Sequence, residues 1–391
     1  IGRNHPKVDQ VLRDVMDMRT ASVVQMDLGV LSGMLAEELV RVSPPGLDAV
    51  FFTNSGTEGV EGALKIARQA TGRSKVIHCH KAFHGLTLGA LSANGNEEFR
   101  GRNEPLLPDF HAVPFNDLEA LEEALAPGDA AAFILEPVQG KGVFIPDGDY
   151  LPRAEELCRK HGTLLIADEV QTGLGRTGKL FAVEHWDVAP DIMVVSKSLS
   201  GGYIPVGAIL MRRDIHSRVF DSMERCFAHS NTFGQNDLAM AAGLATLEIL
   251  REEKLAERSE RIGKHILNGL RALSDRYEML HSIRGLGLMV GLQFGKPRSL
   301  SLKAAWSLLH KMNEDLFCQM ITMPLLDKHN ILTQVAGHGL DTVKLLPPLT
   351  ISMEEADRFL KATDQVLQAA HTFPGSAWET TKKLALRTAK H

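Results

Sequence analysis

Leu164-Leu165-Ile166-Ala167-Asp168-Glu169 and, further along, Ile192-Met193-Val194-Val195-Ser196-Lys197 are two short apolar runs that each end on charge. Such runs read as strands buried on both faces, the kind found in parallel sheets covered by helices. Working outward, residues 49–53 read as a strand and 55–70 as a helix, with Glu58 and Glu61 in its first turns and Val60, Leu64 and Ala67 at helical spacing. Strands at 75–79, 131–135 and 163–167 alternate with helices at 118–125 and 151–161, and strands at 191–195 and 206–211 continue the sheet. Helices at 236–252 and 257–274 lead into a different texture, with strands at 280–284, 287–294 and 343–346 among helices at 302–316 and 353–371. The pattern predicts an α/β fold: a large domain over 26–274 with a mostly parallel sheet, a smaller α+β domain over 275–375, and a surface helix or frayed tail after Phe373, with 376–391 as the tail proper.

Composition narrows the function. At 44% apolar, 23% charged and 6% aromatic, the 391 residues are neither disordered nor collagen-like. The 43 Lys and Arg lie interspersed among 48 Asp and Glu with a formal charge of -5, so there is no basic field for a nucleic acid. No apolar run approaches the roughly 20 residues that span a bilayer. Residues 1–6 carry neither a signal h-region nor an Arg-rich presequence, so the expectation is a cytoplasmic protein with no membrane partner. Cys79, Cys158, Cys226 and Cys318 are far apart and read as small buried apolar residues, with no zinc spacing and no disulfide framework. His78 and His80 alternate around Cys79 as strand neighbours do, so no metal site is expected.

Ligands of open α/β sheets bind outside the carboxyl ends of the strands, which is where Asp168 and Lys197 would emerge. A lysine amine that forms a Schiff base and an acid that pairs with a pyridinium nitrogen suit pyridoxal phosphate. By themselves the two strand ends are more often plain surface residues or a salt bridge. Asn54-Ser55-Gly56-Thr57-Glu58 places small residues between a strand and a helix, where backbone N–H groups and the helix dipole favour a phosphate. Phe83-His84-Gly85 offers an aromatic to stack on a ring, although a lone Phe is more often a core residue. Gly173-Leu174-Gly175-Arg176-Thr177-Gly178 fits the dinucleotide G-x-G-x-x-G pattern in the wrong context, because it neither follows directly on a strand nor opens a clear helix.

Taken jointly, these segments resemble the class III pyridoxal-phosphate aminotransferases, which include ornithine, acetylornithine, 4-aminobutyrate and diamine enzymes. Asn54 to Glu58, Phe83-His84-Gly85, Glu136-Pro137-Val138-Gln139-Gly140, Asp168 to Gly178, Ser196-Lys197, Gly201-Gly202-Tyr203-Ile204-Pro205 and Thr232-Phe233-Gly234 stand in that family's order over nearly the whole chain. The resemblance implies fold type I, with a mostly parallel seven-stranded sheet in the large domain and a smaller α+β domain. It implies Lys197 as the Schiff-base lysine and Asp168 as the pyridinium partner. It also implies Val170 and Phe83 on opposite ring faces, Gln171 near the ring hydroxyl, Ser55, Gly56 and Thr57 at the phosphate, and His84 and Glu136 in the cofactor site. Thr232 would reach the phosphate of the other subunit, which makes a homodimer with shared active sites part of the expectation. Ile1-Gly2-Arg3-Asn4-His5-Pro6 resembles a family segment that normally follows several dozen residues, so 1–25 reads as the remnant of an N-terminal segment.

Three places depart from the family's carboxylate-reading pattern. Phe-His-Gly is often followed by Arg and here by Leu86; the Arg before leucine-proline-proline is Lys344; and a Glu that screens that Arg in ornithine-type enzymes is Lys141. The expectation is ping-pong transfer between an amine or amino-acid donor and an aldehyde or keto acceptor, with a substrate lacking an α-carboxylate. The aldehyde-aminating halves of prodigiosin-pathway enzymes are similar in this respect. An ornithine- or acetylornithine-type enzyme, an aminomutase or decarboxylase, and a non-catalytic cofactor-binding protein are the alternatives.

Overall fold

Seven short strands form one sheet in the computed structural model, which describes residues 1–19, 29–312, 316–337, 339–372, 374, 375 and 378. They are β1 (Ala49–Thr53), β2 (Lys75–Cys79), β3 (Phe110–Val113), β4 (Ala130–Leu135), β5 (Leu164–Asp168), β6 (Ile192–Val195) and β7 (Gly207–Met211). Their order across the sheet is β1-β7-β6-β5-β4-β2-β3, and only β7 runs antiparallel to its neighbours. β4, β6 and β7 are buried along their whole length, as continuous apolar runs in a covered sheet should be.

The helix Gly56–Thr71 shows how the sheet is covered. Ser55 Oγ accepts from Glu58 N at its start, and Gly72 in the left-handed region ends it. Its Val60, Ala63, Leu64 and Ala67 pack with Ile134, Ile166, Val194 and Ile209 in one core. Gly59 and Gly62 face the sheet where a Cβ would stand 2.6 Å from Val194 Cγ1 and 2.4 Å from Ile209 Cδ1. Each glycine costs about 1 kcal/mol of helix propensity, and in return the helix lies close on β6 and β7.

The chain divides into two compact units, Ile1–Gly140 with Ile145–Ala256, and Lys141–Phe144 with Glu257–His391. The second unit contains an antiparallel sheet of β8 (Leu280–Leu286), β9 (Met289–Phe294), β10 (Gln334–Val335) and β11 (Thr342–Leu345), in the order β10-β11-β9-β8. Arg284, Gly291, Lys344 and Gln334 form one row across it. Arg284 donates to the carbonyls of Gly142 and Val143, which seats the 141–144 segment on that row.

The α/β architecture with its mostly parallel seven-stranded sheet is the predicted one. The structure adds helices at Pro6–Met18 and Val30–Val42, the edge strand β3, and a helix at Leu316–His329. The strand expected over 287–294 begins at Met289, because Gly287 occupies the left-handed region in the β8–β9 turn. The boundary expected at residues 25 and 26 lies outside the described residues, as does the 373–391 tail apart from 374, 375 and 378.

Candidate active site

β1, β2, β4, β5 and β6 point the same way, so their carboxyl ends meet along one edge of the sheet. A cavity of about 590 Å³ opens there, within the first unit. Asn54 to Thr57 follow β1, Phe83 to Leu86 follow β2, and Glu136 follows β4. Asp168 ends β5, with Val170 and Gln171 just beyond, and Ser196 and Lys197 follow β6. Ser200 and Gly202 to Val206 line the cavity on the way into the antiparallel β7.

Asp168 is 4% exposed. Its Oδ2 lies 2.7 Å from His84 Nδ1, the ring N–H donating, and its Oδ1 accepts from Val170 N at 3.0 Å. Both carboxylate oxygens are therefore aimed. Glu136, also buried, accepts from Phe83 N at 2.9 Å and Gly140 N at 2.7 Å. Burial pushes its carboxyl above the usual range; nearby His84 opposes this and Asp168 adds to it. Gln171 keeps its Oε1 buried without a hydrogen-bond partner among the described residues. Such a group costs about 1–3 kcal/mol unless something else satisfies it.

Lys197 is exposed into the cavity and sits at φ +42, a left-handed conformation a lysine seldom adopts. It opens a 3-10 turn, Lys197–Ser200, directly off β6. Elsewhere in the cavity lining, a Cβ on Gly56 would stand 2.6 Å from Val170 Cγ1, and one on Gly85, at φ +132, would stand 2.3 Å from Thr57 Oγ1. Glycine at both places lets the helix start and the Phe83–Leu86 segment close around the same space.

Of the predicted site residues, Ser55, Gly56, Thr57, Phe83, His84, Leu86, Glu136, Asp168, Val170, Gln171 and Lys197 all line this cavity. Thr232 does not; it is exposed in the stretch before the helix Asp237–Glu252. Lys141 and Lys344 belong to the second unit, where both are buried, Lys344 on β11 and Lys141 with its Cε beside Gly337. Ile204 and Pro205, read in the sequence only as part of a motif, and Val206, read only as the start of a strand, also line the cavity. Asn94 was missed altogether, since it touches the cavity only through the backbone of His84 and Gly85.

The family pattern described as aminotransferase class-III matches residues 1–367. This chain belongs to the class III aminotransferases. Over 95% of its length it is 36% identical to aminotransferase PigE of a Serratia species, and it spans about half of that protein, 48%. The ornithine aminotransferase of Toxoplasma gondii has a similar structure, with a TM-score of 0.83 at 32% identity over 94% of this chain and 83% of that one. So does an amine transaminase from an uncultivated Pseudomonas species in its PLP-bound form, at 0.82 and 29% over 94% and 88%.

The cofactor of class III aminotransferases is pyridoxal phosphate, and the residues of this aminotransferase fit it. The cavity has an exposed lysine, a buried aimed carboxylate and a helix start bare of a side chain at Gly56. Two of its lining side chains, His84 at Nε2 and Gln171 at Oε1, also keep a buried atom without a hydrogen-bond partner among the described residues. Together these match the aldehyde, ring nitrogen, phosphate and ring hydroxyl of that group.

Proposed function

We propose that this aminotransferase transfers an amino group, by ping-pong chemistry, between an amino donor and an aldehyde or ketone that carries no α-carboxylate. Leu86 carries the reading. It is 58% exposed on the cavity wall, and no arginine is among the described residues that line the cavity. An apolar chain laid over Leu86 gains about 1.5–3 kcal/mol, whereas a carboxylate desolvated there without a partner costs several kcal/mol.

In this reading Lys197 Nζ would hold the aldehyde carbon of pyridoxal phosphate and would be the group that moves the proton at the substrate carbon. Bound pyridoxal phosphate supplies the electron sink for that proton loss. Asp168, fixed by His84 and by Val170 N, keeps the ring nitrogen protonated. Phe83 and Val170 would hold the two ring faces, and Glu136 holds Phe83 through its backbone N–H. Gln171, on the cavity wall, would hold the ring hydroxyl. Ser55, Gly56 and Thr57 receive the phosphate at the start of the helix Gly56–Thr71.

A homodimer belongs to the same proposal, the partner subunit's Thr232 completing the phosphate site. Its support is that Thr232 lies off its own cavity in a stretch carrying the exposed apolar side chains of Phe227 and Phe233, while Leu86 and Leu88 are exposed beside the cavity. A second reading, an ornithine-type amino-acid aminotransferase, draws on the likeness to the Toxoplasma gondii enzyme.

The deciding experiment compares kcat/KM for a medium-chain primary amine, or its aldehyde, with that for ornithine and acetylornithine, on the wild type and on Leu86→Arg. The wild type should prefer the amine, and Leu86→Arg should move the preference toward the amino acids by roughly a hundredfold, the worth of a restored charged pair. Faster wild-type turnover of the amino acids, or an unmoved preference in Leu86→Arg, would favour the second reading.

A further inference from the structure

We infer that Asn94 is a positioning residue for the cofactor site, a clamp that sets the Phe83–Leu86 wall and with it the aim of His84 at Asp168. The inference rests on the proposed reading of Asp168 and Lys197 as cofactor ligands.

The segment between β2 and the short helix Leu88–Ser92 belongs to neither element, so its backbone polar groups depend on side chains from elsewhere. Phe83 N donates to Glu136 and Thr87 N to Thr57 Oγ1, while Gly89 N and Ala90 N, in the first turn of that helix, donate to Glu61. The centre of the segment is held by Asn94 alone among these. Its Oδ1 accepts from His84 N at 2.6 Å, and its Nδ2 donates to Gly85 O at 2.9 Å. With an N–H on one side and a carbonyl on the other, the amide has only one satisfactory orientation. Asn94 is fully buried and is itself pinned: Gly95 N donates to Ala82 O, and Lys81 N to Gly95 O. A Cβ on Gly95 would stand 2.3 Å from Cys79 O, so glycine permits this approach to the end of β2.

The clamp grips both sides of the one residue whose ring supports Asp168. His84 Nδ1 meets Asp168, but its buried Nε2 has no hydrogen-bond partner among the described residues. No second ring contact of that kind fixes the imidazole, and its direction depends on the backbone that Asn94 holds. Gly85, at φ +132, would otherwise give this backbone wide freedom.

The test reconstitutes the apoenzyme of wild type, Asn94→Asp and Asn94→Ala with pyridoxal phosphate. Asn94→Asp keeps the shape and the acceptor but loses the donor to Gly85 O, so it carries the test should Asn94→Ala fold poorly. Ser92→Ala is the control, because Ser92 Oγ bonds Leu88 O and Leu107 N in the same short helix without touching the clamp. In both Asn94 variants the pyridoxal phosphate dissociation constant should rise about tenfold, the worth of one hydrogen bond to a buried group. The pH midpoint of the bound cofactor's absorbance should move as well, while Ser92→Ala lowers only Tm. Unchanged midpoints and affinities in the Asn94 variants, or equal changes in Ser92→Ala, would overturn the inference. Borohydride labelling of a lysine other than Lys197 would instead overturn the reading beneath it.

Discussion

Gly56→Ala should damage the site through a single neighbour. The new Cβ would stand 2.6 Å from Val170 Cγ1 and 2.9 Å from Val170 Cγ2, where carbon atoms are comfortable at about 3.5–4.0 Å. Val170 cannot easily give way, because its side chain is β-branched and its backbone N–H is bound to Asp168. Overpacking of this kind costs about 1–3 kcal/mol. Gly56 opens its helix, where the propensity gained by alanine is at most about 1 kcal/mol. The net loss of about 1–2 kcal/mol corresponds to a five- to thirtyfold weaker hold on pyridoxal phosphate if the strain falls on the bound state. Val170→Ala removes both close atoms and leaves only Cβ, at an ordinary 3.4 Å. The double variant should therefore bind better than the two single effects predict, with a coupling of about 1–3 kcal/mol. The assay is fluorescence titration of the four apoenzymes with pyridoxal phosphate, alongside their Tm values. Additive effects to within about 0.5 kcal/mol would refute the argument that this contact is what glycine relieves.

Borohydride reduction of the holoenzyme followed by peptide mapping should label Lys197, and Lys197→Ala should bind the cofactor without being labelled; a label elsewhere would reassign the lysine. Asp168→Ala should slow the single-turnover half-reaction with an amine by orders of magnitude, far more than it lowers cofactor occupancy, and near wild-type single-turnover rates would remove Asp168 from its role. Burial pushes the Glu169 carboxyl up to about 7, despite hydrogen bonds from Thr172 and from Val183 N. An acid raised above its ordinary 4.5 binds its proton more tightly when folded, so its stabilisation is complete below about 4.5 and is lost as pH rises through 7. Glu169→Gln should flatten the fall of Tm across that window and exceed wild-type Tm above it, and a variant with the wild-type slope would show that Glu169 does not titrate there.

Where the sequence reading failed, the cause was tertiary. The helix Leu316–His329 has buried residues on most of its faces, Leu316, Phe317, Cys318, Met320, Ile321 and Leu325 among them, and contains Pro324. It presents no polar stripe for periodicity to find, and its proline argues against a helix. β3 is a four-residue edge strand whose His111 and Ala112 are exposed, too short and too mixed to stand out. Asn94 carries no local signal at all, because its role depends on a loop folding back over ten residues to His84.

What the chain determined by itself was local: apolar runs long enough for buried strands, small residues where a helix starts, and an acid and a lysine at two strand ends. Those features are written in neighbouring residues, so propensity and burial decide them without reference to the rest of the molecule. Only the tertiary structure decided which ends meet, since the order β1-β7-β6-β5-β4-β2-β3 brings Asn54, Phe83, Glu136, Asp168 and Lys197 to one edge from widely separated places. It alone showed Lys197 held at φ +42, Gln171 with an oxygen unpartnered among the described residues, and Asn94 gripping the backbone beside Asp168's histidine. Strain, orphaned acceptors and clamps are relations between distant segments, and they come into being only when packing forces those segments into the same space.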